Sequence, residues 1–177
     1  MKRLSKLLFL FTLLGIIAGG CELFQGVKWD EGYNYTFTIN PAEAGTHSFS
    51  EENIPTDIDQ ILSDNGITEK RLESVKIKEI KATIQPNSHE STFDIMDSGT
   101  LYMQGKGLTQ VAVATWPNPV PAGASSVVLK HNENELRDHL LSGELTFTGN
   151  ALLNAAHGGT TYVRVDVTFE LNGKVLF

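Results

Sequence analysis

From Val163 to Leu171 the chain alternates without a fault. Val163, Val165, Val167, Phe169 and Leu171 fall on one side; Arg164, Asp166, Thr168 and Glu170 fall on the other. Successive side chains of a strand point to opposite faces, so this period of two specifies a strand with one face in a core and one in water. A helix, with its period of about 3.6, is rejected. Asn172-Gly173 follows. That pair favours a type I′ turn, so Lys174–Phe177 is expected to fold back as a short last strand.

The same period recurs upstream. Tyr33, Tyr35, Phe37 and Ile39 alternate with Asn34, Thr36, Thr38 and Asn40, up to Pro41. A short strand is expected at His47–Phe49. In the long run Leu72–Gln85, Val75 and Ile77 share one parity, and Ile80, Ala82 and Ile84 the other. One extra residue near Lys78-Glu79, a β-bulge, would return both sets to one face. Further strands are expected at Thr92–Met96, Gly99–Gln104, Thr109–Trp116, Ser126–Lys130 and Glu144–Thr148. Val111–Ala114 is apolar throughout, as in a central strand buried on both faces. Ala151–Ala156 is ambiguous, a turn of helix being one reading. Two short helices fit between strands: one capped by Thr56, with Ile58, Ile61 and Leu62 inward, and one capped by Asn132, with Leu136, Leu140 and Leu141 inward.

About eight or nine strands with no βαβ rhythm specify an all-β fold, an antiparallel β-sandwich with Greek-key connections. A small barrel is the alternative.

Residues 1–20 follow different rules. Lys2, Arg3 and Lys6 open the segment, Leu7–Ala18 is apolar but for Thr12 and Gly15, and Ala18-Gly19-Gly20 lead into Cys21, the one cysteine of the chain. A membrane-spanning helix needs about 20 apolar residues. The shorter run fits the apolar centre of a secretory signal. With Cys21 at the expected cleavage point, the segment resembles bacterial lipoprotein precursors. The resemblance covers residues 1–21. It implies that residues 1–20 are removed as a signal peptide, and that the Cys21 thiol is alkylated with diacylglycerol. Acyl chains, palmitate among them, would then anchor the protein to a membrane of the cell envelope. One departure is present: Ala18 stands three places before the cysteine, where a large aliphatic residue is usual, and Ile17 is one place too early. The alternative is an ordinary signal cut after Gly20, which would leave a lone thiol in an oxidising compartment. Glu22 follows Cys21. In enteric relatives of this kind an Asp there retains the protein at the inner membrane, so the resemblance implies the outer one. Residues 21–32 show no sustained period and are expected to be a lipid-anchored tether, with 33–177 a single sandwich domain.

The full chain of 177 residues carries 14 basic and 21 acidic side chains, a formal charge of −7. Without residues 1–20 the balance is 11 to 21, or −10. Phosphate contacts need clustered Lys and Arg, so a nucleic-acid partner is not expected. A single cysteine excludes a disulfide scaffold.

Catalytic patterns are missing. His47, His89, His131, His139 and His157 fall in no metal-ligand spacing. Asp57-Ile58-Asp59 opens like a calcium loop but continues with Ile61 and Leu62 where a ligand and a glycine are required. No nucleophile elbow and no phosphate-cradling glycine loop appears. The reading is therefore not an enzyme, with no catalytic residues, no cofactor and no metal. The expected role is binding of, or assembly with, an unknown protein or glycan partner. A surface glycan-binding or adhesive module and an envelope enzyme with an unreadable site are the alternatives. One motif invites a site: Trp116 and Asn118 lie in a loop stiffened by Pro117, Pro119 and Pro121. Trp116 is expected either to make contact from this preordered loop or to cap the core.

Overall fold

The computed structural model describes residues 24–176, so the signal segment, Cys21 and Phe177 lie outside the described residues. Nine strands and two short helices follow in order: β1 (Phe24–Ile39), β2 (Gly45–Pro55), α1 (Ile58–Asp64), β3 (Leu72–Ile84), β4 (Met96–Gly105), β5 (Val111–Thr115), β6 (Ser126–Val128), β7 (Lys130–His131), α2 (Arg137–Leu141), β8 (Glu144–Leu153) and β9 (Thr161–Leu176).

They form two antiparallel sheets, one in the order β1-β9-β3-β6 and one in the order β2-β8-β4-β5-β7. The chain changes sheet at every step except β4 to β5 and β7 to β8. With the two-residue β7 left out, this is the eight-stranded jelly roll, a sandwich of two interleaved Greek keys. The sandwich expectation holds.

Between the sheets lie the inward sides of all the long strands. Phe37, Phe147, Phe169, Ile80, Leu101, Met103 and Val165 are fully buried. Tyr35 stacks on Phe147 across the core, with centroids 4.5 Å apart and planes at 19°. The expected bulge in β3 is present: register shifts between Ile77 and Glu79, and both Ile77 and Ile80 are buried.

Five expectations are corrected. The tether does not extend to residue 32, because β1 pairs with β9 from Phe24↔Leu176 onward. Val27 and Trp29 keep the parity of Tyr33 and pack partly against the core. The charged Glu31 on that same parity is what hid the period. Secondly, Asn172-Gly173 makes no turn. Strand β9 runs straight through, held by β1 on one side and β3 on the other. Gly173 serves there by its lack of a side chain: a Cβ would stand 3.0 Å from Ile67 Cδ1 and 3.1 Å from the Arg71 carbonyl. Thirdly, Val111–Ala114 is not a strand buried on both faces. A bulge opposite Leu101/Tyr102 turns the consecutive Val113 and Ala114 both inward. Finally, Ala151–Ala156 is no helix, since β8 continues to Leu153, while Thr92–Met96 contains a single 3₁₀ turn at Phe93–Ile95.

The helix caps also differ. Asp57, at φ 49°, precedes α1 without a side-chain cap, and Thr56 is buried. Asn132 donates to the Ala112 carbonyl instead of capping α2, which starts five residues later at Arg137.

Candidate functional site: the outer face of the five-stranded sheet

The two outer faces of the sandwich differ in chemistry. On the β1-β9-β3-β6 sheet the outward positions mix polar side chains such as Asn34, Thr36 and Thr168 with charged ones, most of which are paired. Lys28 meets Glu170 at 2.5 Å, Arg164 meets Asp166 at 2.7 Å, Lys78 meets Asp30, and Lys174 meets Glu73. Ion pairs within the face take up most of its charges.

The opposite face is built of hydroxyls and amides. Register places its outward side chains in three rungs. Ser50, Thr148, Tyr102 and Ala112 form one; Ser48, Asn150, Thr100 and Thr115 form the next; Thr46, Leu152 and Ser98 form the third. None of these eleven side chains, on β2, β8, β4 and β5, is charged; the second rung ends on Lys130 of β7, opposite Thr115. Charges begin at the rim, with Glu51, Asp97, Lys130, and Glu144 paired to Lys106 at 2.9 Å.

Two hollows lie on this surface. The larger, of ≈ 630 Å³, straddles the sandwich edge where β1 of the other sheet meets β2, and reaches from the outward Thr36, Thr38 and Asn40 of β1 over Ser48 and Ser50 to Thr148 and Tyr102. The second, of ≈ 470 Å³, lies between Thr46, Thr100, Thr115, Asn118 and Leu152. Asn150 lines both. Its Oδ1 accepts the Thr100 backbone N–H at 3.1 Å, which fixes the amide. Gln110 reaches in from the β4–β5 connection and donates to Thr148 Oγ1.

Beneath the hollows two aromatic rings fill the sandwich end. Phe49 packs on Phe37 with centroids 4.1 Å apart, and Trp116 meets Phe49 edge-on at 6.4 Å. Two glycines leave room for them: Cβ atoms on Gly149 and Gly99 would stand 2.2 Å from Phe49 Cε2 and 3.3 Å from Trp116 Cε3. Trp116 is only 4% exposed. The contact role expected of it needs an accessible indole, so the core-cap alternative describes it better. Asn118, two residues on, is exposed and lies at the edge of the second hollow.

The histidines do not converge on one centre. His47 Nε2 lies 2.8 Å from the Glu43 carbonyl and His139 Nε2 3.0 Å from that of Thr109. His131 is on β7. Only His89 and His157 meet, with centroids 5.5 Å apart, and His157 Nδ1 lies 3.2 Å from Glu90 Oε1. Among the described residues, no group of three or more His, Cys, Asp or Glu side chains is placed to hold a metal ion.

No family model matches the chain, and no curated protein matches it. Among solved structures, it is similar to the acid-stable capsid of Helicobacter pylori bacteriophage KHP30, at 9% identity and TM-score 0.38, over 88% of this chain and 100% of that one. It is similar to the 60-mer BFDV capsid protein at 11% identity and TM-score 0.42, over 86% and 95% of the two chains. A third similar structure belongs to carbohydrate-binding modules of the β-sandwich superfamily, at 9% identity and TM-score 0.33, over 84% of this chain and 56% of that one.

The rungs were missed in the sequence because no single strand carries them. Thr46-Ser48-Ser50, Ser98-Thr100-Tyr102 and Thr148-Asn150 are ordinary polar alternations one at a time. Only the pairing register brings them side by side.

Proposed function

We propose that the protein is a non-catalytic binding module of the bacterial cell envelope, lipid-anchored through Cys21 at the outer membrane, that meets its partner with the outer face of the five-stranded sheet. One observation carries the choice of face: a chain of formal charge −7 keeps the outward positions of β2, β8, β4 and β5 free of charge over three rungs, while the outer face of the other sheet carries a series of ion pairs. Charged side chains are the usual solvated cover of a strand, and their removal from one face favours contact over solvation.

The anchor reading rests on the pattern of residues 1–21. Glu22 and Leu23 alone separate Cys21 from the first paired residue, Phe24. So short a spacer would hold that end of β1 near the bilayer. Thr36, on the rim of the larger hollow, is twelve residues further along the strand, roughly 40 Å at the usual rise. The hollow would open well away from the lipid.

Two measurements test this. Cys21→Ser should abolish partition of the protein into detergent micelles; a variant that still partitions like wild type rejects the lipid anchor. Photocrosslinking residues at Thr100 and, on the other sheet, at Thr168 should give adducts in intact cells from Thr100 only. Equal labelling from both sites, or labelling from Thr168 alone, rejects the face.

A further inference from the structure

We infer, building on the face just proposed, that its ligand is an uncharged oligosaccharide laid across β2, β8 and β4. The groups on offer are short hydroxyls and side-chain amides, with Ser48, Thr100, Thr148 and Asn150 at the centre and Asn40, Gln110 and Asn118 at the edges. Each both donates and accepts hydrogen bonds, which matches the hydroxyls of a sugar ring. An anionic ligand would find a single cation in register with the rungs, Lys130, which stands opposite Thr115 on the far-edge strand β7 and outside both hollows, while Glu51 closes the opposite side of the larger hollow. An apolar ligand would find only Leu152 and the half-buried Tyr102 and Phe49 among mostly polar groups.

The dimensions agree with a chain of sugars. Rungs two residues apart along a strand are separated by roughly 6–7 Å, so the three span about 13 Å, and three neighbouring strands add about 10 Å of width. Asn150 joins the two hollows into one continuous surface. Short side chains on paired strands lose little rotamer freedom when a ligand orders them, which favours weakly held polar ligands. Tyr102 supplies the one aromatic surface among the rungs, the usual partner of the apolar face of a sugar.

The test uses the full chain in detergent micelles, titrated with cello-, xylo-, manno- and maltohexaose as neutral probes and with oligogalacturonate and a heparin hexasaccharide as anionic ones. At least one neutral hexasaccharide should bind with an affinity insensitive to salt, and neither anionic probe should. Tyr102→Ala and Thr148→Ala should each weaken that binding roughly tenfold, or about 1.4 kcal/mol. Ser48→Glu, at an exposed position, should weaken it likewise without lowering the melting temperature. Thr168→Ala should leave it unchanged. Salt-dependent binding of only the anionic probes overturns the inference. So does an absence of binding to every neutral probe while Thr100 still crosslinks in cells, which would point to a protein partner on the same face. If the Thr100 adducts are absent too, it is the face itself that fails.

Discussion

Phe49 lies across Gly149, its directly opposite partner in the pairing of β2 with β8, so closely that a Cβ on Gly149 would stand 2.2 Å from the ring. The ring thereby reaches Phe37 at 4.1 Å and supports the edge of the sheet beneath the larger hollow. Gly149→Ala must displace the ring. Overpacking of this kind costs about 1–3 kcal/mol. In a Phe49→Ala background the same change should cost much less, a coupling of more than about 1 kcal/mol in a urea-unfolding cycle. Additive effects would show that the ring does not rest on Gly149.

Tyr35 stacks on Phe147, yet its buried hydroxyl has no hydrogen-bond partner among the described residues. Burial drives its pKa well above the usual phenol range. Leaving a buried hydroxyl unpaired costs about 1–3 kcal/mol. Tyr35→Phe keeps the ring and removes that cost, so unfolding by denaturant should show a gain of roughly 1 kcal/mol. A loss of stability would mean that the hydroxyl is satisfied after all.

Trp116 has the burial of a core residue. Trp116→Ala should lower stability by roughly 3–5 kcal/mol. In a Trp29→Phe background, acrylamide should quench the remaining emission weakly. Strong quenching together with an unchanged melting temperature would restore an exposed contact role to the indole.

Glu31 sits on the inward parity of β1, and burial raises its pKa above the usual 4.5; the nearby Trp29 indole lowers it in part, and Asp64 adds to the rise. The fold therefore favours its protonated form. Its stabilising contribution is present below the unfolded value and is lost as pH rises through the higher folded one. Glu31→Gln stays neutral throughout, so its stability relative to wild type should rise between pH 3.5 and pH 7, followed by urea unfolding at each pH. A relative stability that falls over this range would reverse the assignment.

Strand β9 shows how far local sequence reaches. Its alternation from Val163 to Leu171 set the inward face correctly, because burial on one side of a pleat is written every second residue. Asn172-Gly173 misled for the complementary reason. Turn propensity is a local preference of a fraction of the folding energy, and here two flanking strands and the approach of Ile67 outweigh it. Glu31 and Val113-Ala114 misled in the same way: a half-buried carboxyl and a bulge each break a period without ending a strand.

The sequence by itself determined the all-β class, the inward residues of the long strands, the β3 bulge and the absence of familiar catalytic spacings. These are properties of neighbours along the chain, carried by the side-chain period and by fixed motifs. Only the tertiary structure decided that the strands join as a jelly roll, that Trp116 turns inward, and that Ser48, Asn150 and Thr100 stand in one uncharged row. Those are relations between residues 50 to 100 positions apart, roughly, and they follow from pairing register, which depends on how whole strands pack against one another.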